Sequence, residues 1–276
     1  MGFSVNTNAG ALLALQNLNA TNKDLTTVQN RINTGLKVAG AKDNAATFAI
    51  AQNLRADLGG LNAVQGSIDR ALGATDVALA AGEAVADLLL QMKEKAVAAA
   101  DSGLDTASRT ALNNDFTQLR DQINSIVNDA SFNGINAVKA SGNNIVAITN
   151  DTGATEITIT ATALNLGSTN VTVTAAEVLG ATQTTASAVV GKIEASITNV
   201  NSALSKLGSG AKRLELQQTF VGKLSDTIET GIGNLVDADL AKESANLQSL
   251  QVKQQLGLQA LSIANQGPSA VLSLFR

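Results

Sequence analysis

Cysteine, histidine, tryptophan and tyrosine are all missing from this 276-residue chain, proline occurs once, and the only aromatic residues are six phenylalanines. Without cysteine there can be no disulfides and no thiolate sites in any compartment. Without histidine the commonest general base and the commonest metal ligand are gone together. Serine and threonine are plentiful, but a hydrolytic site would then need a Ser–Lys arrangement, and no motif context supplies one. A formal charge of −4 with few aromatics argues against nucleic-acid binding. No run approaches the roughly 18 apolar residues that a membrane-spanning helix needs, so no membrane insertion is expected. The first twenty residues have no basic segment, and Asn6, Asn8, Gln16, Asn17 and Asn19 interrupt their apolar positions. No cleavable secretory leader is expected, so the chain either stays in the cytoplasm or leaves by a route that ignores such signals.

What is present is aliphatic. Apolar residues make up 45% of the chain, and burial must rest on Leu, Ile, Val and Ala, which suits thin helical bundles. The dominant pattern occupies residues 190–235. Alternate steps of three and four give Val190, Ile193, Ile197, Val200, Leu204, Leu207, Ala211, Leu214, Gln218, Val221, Ser225, Ile228, Ile232 and Leu235. Lys192, Glu194, Lys206, Lys212, Arg213, Glu215, Lys223 and Glu229 fall between the steps, so one long helix with an apolar seam and a hydrated flank is predicted. At about 1.5 Å per residue this rod is roughly 70 Å long. Each seam aliphatic contributes about 1.5 to 3 kcal/mol when fully buried, against about 1 to 2 kcal/mol to fix each residue's backbone, so partner helices are required. Gly208, Gly210, Gly222, Gly231 and Gly233 either permit close packing or mark hinges.

The rest of the chain supplies those partners. Residues 9–36 read as an amphipathic helix, with Leu18, Leu25 and Ile32 seven apart and Leu15, Val28 and Leu36 beside them. Gly35 and Gly40 suggest its end. A second stretch starts near Asp43, with Gly59 and Gly60 its softest point, and a third covers residues 61–100, closed by the turn at 101–106. The next helix carries Leu112, Phe116, Leu119, Ile123 and Ile126 and ends at the SFNG loop, residues 131–134. Residues 138–182 change character: 144–148, 156–162 and 171–174 are rich in Ile, Val and Thr, and NDTG at 150–153 suits a hairpin turn. After the seam helix come DADLAKE at 237–243 and a last helix with Leu240, Leu247, Leu250, Leu258 and Leu261, which Pro268 is expected to break. The fold class is therefore mainly α, a long coiled-coil or helical-bundle rod formed by N- and C-terminal helices, with a small β-hairpin element inserted in the middle. The chain ends should meet at one end of that rod.

Specific residues at both ends resemble the bacterial flagellin family: Asn6, Thr7 and Asn8, RINTGLKVAGAKDNAA at 31–46, Ile50 and Ala51, SFNG, DADLAKE, and ANQGPSAVLSLFR at 264–276. The resemblance covers residues 1–137 and 183–276, and the short middle makes the chain look like a short flagellin. It implies a structural, non-enzymatic subunit that self-assembles into the flagellar filament; a hook–filament junction protein and a cytoplasmic coiled-coil adaptor are the alternatives. Residues 1–45 plus 237–276 would form an inner coiled-coil polymerisation domain, residues 46–137 plus 183–236 an outer helical bundle, and residues 138–182 a small β-rich variable element. The implied polymerisation residues are Leu15, Leu18, Leu25, Ile32, Leu36, Leu247, Leu250, Leu258, Leu261, Val271, Leu272 and Leu274. Those of the outer seam are Leu112, Phe116, Leu119, Ile123, Ile197, Val200, Leu204 and Leu207. The termini of flagellins fold on incorporation, which suits weakly charged seams that lack internal partners. Implied partners are further copies, sibling flagellins, hook-associated junction and cap proteins, and an export chaperone, with export through the flagellar type III apparatus.

No cofactor or metal is expected. GSGAK at 208–212 has neither the spacing of a phosphate loop nor a preceding strand. Asp237, Asp239 and Glu243 lack the spacing of a calcium loop and suit a helix start instead. LLQMKEKAV at 89–97 is similar to the stretch by which some flagellins engage an innate immune receptor. Here Lys93 and Glu94 keep the charges, but Gln91 stands where those flagellins have arginine, so weak activation is expected. Ser168, Thr169, Thr182, Thr184 and Thr185 are candidate O-glycosylation sites, because flagellins of several groups carry such sugars.

Overall fold

A computed structural model of the protein describes residues 7–180 and 182–273, with side chains described through residue 266. Its elements in order are α1 (Ala9–Thr34), α2 (Ala45–Ala99), α3 (Thr106–Asp129), β1 (Ile145–Ile148), β2 (Glu156–Ile159), α4 (Gln183–Val236) and α5 (Leu240–Ser273). By contacts the chain divides into two compact units, residues 1–56 with 227–276, and residues 57–226. By this division the β element falls in the second unit.

In the second unit the core runs along the predicted seam. Ile193, Val200, Leu207, Leu214 and Val221 of α4 are buried, and no seam position within the unit is exposed. Phe116 and Ile123 of α3, and Val64, Ile68, Val85 and Leu89 of α2, are fully buried as well. Close approaches are made at glycines. A Cβ at Gly82 would lie 2.6 Å from Leu204, one at Gly73 2.9 Å from Phe132, and one at Gly210 2.8 Å from Ile159. Gly208 and Gly222 face open space, so of the seam glycines in this unit only Gly210 is required by packing.

Three expectations are corrected. Residues 45–99 form one 55-residue helix where two stretches meeting at Gly59 and Gly60 are predicted. Gly60 is instead a contact point: a Cβ there would sit 2.9 Å from the Asp151 side chain and 3.1 Å from its backbone. Of three strand-like segments only two pair, antiparallel, with Ile145 opposite Ile159 and Ile148 opposite Glu156. Residues 171–174 bury Val171 and Val173 without becoming a strand. Side chains already take their donors, since Val171 N–H bonds the Ser168 hydroxyl at 3.1 Å and Thr172 N–H the Ser196 hydroxyl at 2.9 Å. Finally, α5 continues through Pro268 to Ser273.

Turns follow local chemistry. Gly35 ends α1 in the left-handed conformation (φ 71°). Asp105 caps α3 by accepting from Ser108 N–H at 2.7 Å. Arg109, buried on α3, donates to the Ala99 carbonyl at the end of α2 and to the carbonyls of Asp101 (3.0 Å) and Leu104 (3.3 Å) in the turn that follows. Gly153 (φ 70°) turns the hairpin between β1 and β2.

Candidate assembly surface

The first unit is built on α1 lying along α5. Its internal fit is local and polar at both ends. Asn8 caps α1 by accepting from Ala11 N–H at 3.1 Å and donates its Nδ2 to the Ala264 carbonyl at 2.7 Å, which ties the start of α1 to α5. Leu18 is buried against Gly257, where a Cβ would approach its Cδ1 to 3.2 Å, and Gln254 donates to Asn22 at 2.8 Å. At the other end Lys37 N–H bonds Val236 O at 2.7 Å, Ala238 N–H bonds Gly35 O at 2.8 Å, and Leu36 bridges Asp237. Asp239 accepts from Ala241 and Lys242 N–H at 3.0 and 3.1 Å, capping α5. Glu243, buried, takes Arg31 at 3.2 Å.

Two helices side by side can bury only one stripe of each. Leu18 and Val28 are buried, whereas Leu25, Ile32, Leu36, Leu247, Leu250 and Leu261 are half-buried. Leu15 and Leu258 are exposed, as are Leu12, Leu13, Val252, Leu256 and Ile263, the last at 69%. The seams of α1 and α5 are therefore partnered by each other on one side, contrary to the expectation that they lack an internal partner. A second apolar surface remains uncovered. The side chains of Val271 and Leu272, and all of Leu274, lie outside the described residues. Among the described residues no group of three or more His, Cys, Asp or Glu could hold a metal ion. No described helix is long and apolar enough to cross a membrane.

Contiguous exposed apolar faces mark surfaces of interaction. The terminal regions match the family descriptions "bacterial flagellin N-terminal helical region" over residues 5–144 and "bacterial flagellin C-terminal helical region" over residues 190–275. Similarity to flagellin FljK of Caulobacter vibrioides is 50% identity over 99% of this chain and 98% of the relative. This chain belongs to the bacterial flagellin family. A flagellin of Brucella melitensis is 36% identical over 99% of both chains. Among solved structures, Bacillus cereus flagellin aligns with a TM-score of 0.50 at 22% identity, covering 56% of this chain and 88% of that one. A Vibrio parahaemolyticus protein described as flagellar hook-associated aligns with 0.59 at 14% identity, covering 71% and 100%. At these identities the structural likeness shows the fold alone. The protein is a structural subunit of the flagellar filament, which lies outside the cell.

The remaining sequence-predicted sites of this flagellin lie in the second unit. Of the outer seam, Phe116, Ile123, Val200 and Leu207 are buried, and Leu112, Leu119, Ile197 and Leu204 are half-buried. Gln91 and Glu94 are exposed, while Lys93 is occupied in an ion pair with Glu194 at 2.9 Å. Thr169, Thr182, Thr184 and Thr185 are exposed, while the Ser168 hydroxyl donates to the Ala163 carbonyl at 3.1 Å and that of Thr185 to the Thr182 carbonyl at 2.8 Å. Sequence periodicity missed the polar ties, Arg31 to Glu243, Asn8 to Ala264, Arg109 to the end of α2. Each joins residues whose partner lies on another element or turn, so no local spacing announces it.

Proposed function

We propose that this flagellin polymerises through the uncovered faces of α1 and α5. The inner coiled-coil domain would comprise residues 1–45 and 237–276, with an outer bundle of residues 46–137 and 183–236 and a variable element at 138–182. The observation that carries this reading is the exposure of Leu12, Leu13, Leu15, Val252, Leu256, Leu258 and Ile263 on two helices that already pack on each other. Each buries about 1.5 to 3 kcal/mol of transfer free energy once a neighbouring copy covers it. Leu25, Ile32, Leu36, Leu247, Leu250 and Leu261 position those faces, and Val271, Leu272 and Leu274 extend the apolar pattern at the end of the chain. Head-to-tail, non-closing contacts between such faces generate a helical filament.

The same reading gives the partners: further copies, sibling flagellins, hook-associated junction and cap proteins, and an export chaperone that covers the exposed faces before assembly. Export through the type III apparatus suits a chain whose terminal helices form a thin layer. Gln91 in place of an arginine reduces engagement of the innate immune receptor, and Thr169 and Thr184 offer exposed hydroxyls for O-linked sugar, whereas those of Thr182 and Thr185 are exposed but engage each other at 2.7 Å. Deleting residues 264–276 tests the assembly reading. Far-ultraviolet circular dichroism of the truncated subunit is expected to retain the signal of the second unit, while seeded polymerisation followed by electron microscopy is lost. Truncated protein that still extends seeds would exclude the terminal-helix interface.

A further inference from the structure

The second unit carries two charged stripes that its own helices leave unanswered. Lys206 and Arg213 stand seven residues apart on α4 and border a groove of about 760 Å³, whose other walls come from β2 and residues 160–170. None of the groove's lining residues is acidic, although the chain as a whole carries −4. Positions three and four residues to either side of Lys206 and Arg213 are Ser, Ala, Gly, Leu or Gln, so neither cation has a helical neighbour to pair with. Among the described residues neither forms an ion pair. The groove is built and held. Gly210, between the two cations, admits Ile159 to 2.8 Å of where a Cβ would be. The opposite wall is tied by Asn170 Nδ2 to the Ala163 carbonyl at 2.9 Å and by Asn199 Nδ2 to the Thr169 carbonyl at 3.0 Å.

On α2, Asp76 and Glu83 are also seven residues apart and exposed. Their neighbours at three and four residues are Leu, Gly and Ala, with Asp87 adding a further acid, and among the described residues neither carboxylate forms an ion pair. The heptad continues into Leu90, 54% exposed, and Val97, 52% exposed, just as the basic stripe continues into Phe220, 57% exposed. Seven residues of helix advance about 10.5 Å, so two acids and two bases match in spacing whichever way the helices run.

We propose that the Asp76–Glu83 stripe of one copy docks on the Lys206–Arg213 groove of a neighbouring copy in the filament. The proposal rests on the filament reading and adds to it a polar contact between second units. Donor and acceptor faces are different surfaces of the same chain, so the contact is heterologous and propagates. The short Asp and Glu stems reach the cations while Thr158, Thr160 and Asn170 offer hydrogen bonds at the groove walls. Opposite charges select the partner face and its register.

Charge reversal tests it. K206E/R213E and D76K/E83K, each confirmed folded by circular dichroism, are each expected to raise the critical concentration for seeded polymerisation about tenfold at low salt, less at high salt. The quadruple reversal is expected to restore it. Since the chain has no cysteine, mixtures of an E83C variant with K206C or R213C variants should cross-link between copies in filaments, and not in dilute subunits. Reversal variants that polymerise like the parent overturn the docking proposal and leave the filament reading intact. Weakened assembly that the quadruple does not restore assigns the groove to another anionic occupant and also overturns it. A parent protein that fails to extend seeds overturns both.

Discussion

Asp105 shows how one side chain links pH to the fold. The Ser108 backbone N–H, and secondarily its hydroxyl, hold the Asp105 carboxyl below its ordinary value of 3.8. A carboxylate whose pKa is lower in the folded than in the unfolded chain stabilises the fold above the unfolded value, and that contribution is lost as pH falls through the folded one. Asp105→Asn keeps an acceptor at the cap but cannot titrate. The stability gap between the parent and this variant, measured by urea unfolding, should therefore narrow as pH drops from about 5 toward 2. A gap independent of pH would mean that the cap does not carry the shift. Neighbouring glycines separate propensity from packing in the same residue-by-residue way. Gly59 has nothing within 4 Å of its missing Cβ, whereas Gly60 faces Asp151 at 2.9 Å. Gly59→Ala is expected to raise the temperature of the second unit's own unfolding transition in the dilute subunit, by up to about 1 kcal/mol in stability. Gly60→Ala should lower it, because the same helical gain meets backbone of the hairpin turn that cannot retreat. Equal effects of the two substitutions would remove the contact account.

At the scale of elements, α5 poses the problem of a proline inside a helix. Pro268 has no N–H, so the carbonyl four residues earlier, that of Ala264, loses its helical donor. Asn8 Nδ2 donates to that carbonyl at 2.7 Å while Asn8 Oδ1 caps α1, so one amide completes two helix defects at once. Asn8→Ser keeps a capping hydroxyl and loses the reach to α5. It should cost about 1 kcal/mol of α1–α5 pairing, read as faster amide exchange in residues 255–266, and should cost little in a Pro268→Ala background where the helix supplies its own donor. Costs that simply add would show the two residues to be uncoupled. How far such elements could be read in advance depended on the range of the interactions that specify them. The α4 seam was legible because thirteen steps of alternating three and four residues repeat one local rule. That α1 and α5 cover one side of each other was not, because their apolar positions read as seams without an internal partner, and only the family resemblance of both ends set them side by side. The single α2 helix was not legible, because Gly59 and Gly60 look alike in sequence and only Asp151, some ninety residues away, explains why a glycine is kept. Residues 171–174 alternate as a strand does, yet the Ser168 and Ser196 hydroxyls claim their donors first. The candidate assembly surface was partly legible for a similar reason: periodicity marks apolar positions but cannot say which of them, such as Leu18 against Leu15, a partner helix already covers.

The molecule as a whole divides its burial unequally. In residues 57–226 Phe116, Ile68, Leu89, Met92, Ile123, Leu164, Ile193, Leu207 and Leu214 are all fully buried. Among the described residues of the unit 1–56 and 227–276 the buried apolar side chains are fewer and smaller, Leu18, Val28, Val38, Ala51, Ile232 and Val236, while long aliphatics stand in solvent. Local opening free energy follows buried apolar contact, so the two units should not open together. Their unfolding in the dilute subunit is therefore not two-state, and a single melting temperature would misdescribe it. Limited proteolysis of the dilute subunit is expected to remove segments of 7–56 and 227–266 first and leave a resistant core within 57–226, identifiable by mass spectrometry. Incorporation into filaments should reverse the order of susceptibility. The terminal faces then gain the partners they lack, and cleavage should retreat to exposed turns such as residues 150–154. First cuts in the 138–182 segment of the free subunit, with the terminal helices intact, would mean that α1 and α5 are stable without neighbours. Their exposed leucines would then need an explanation other than assembly.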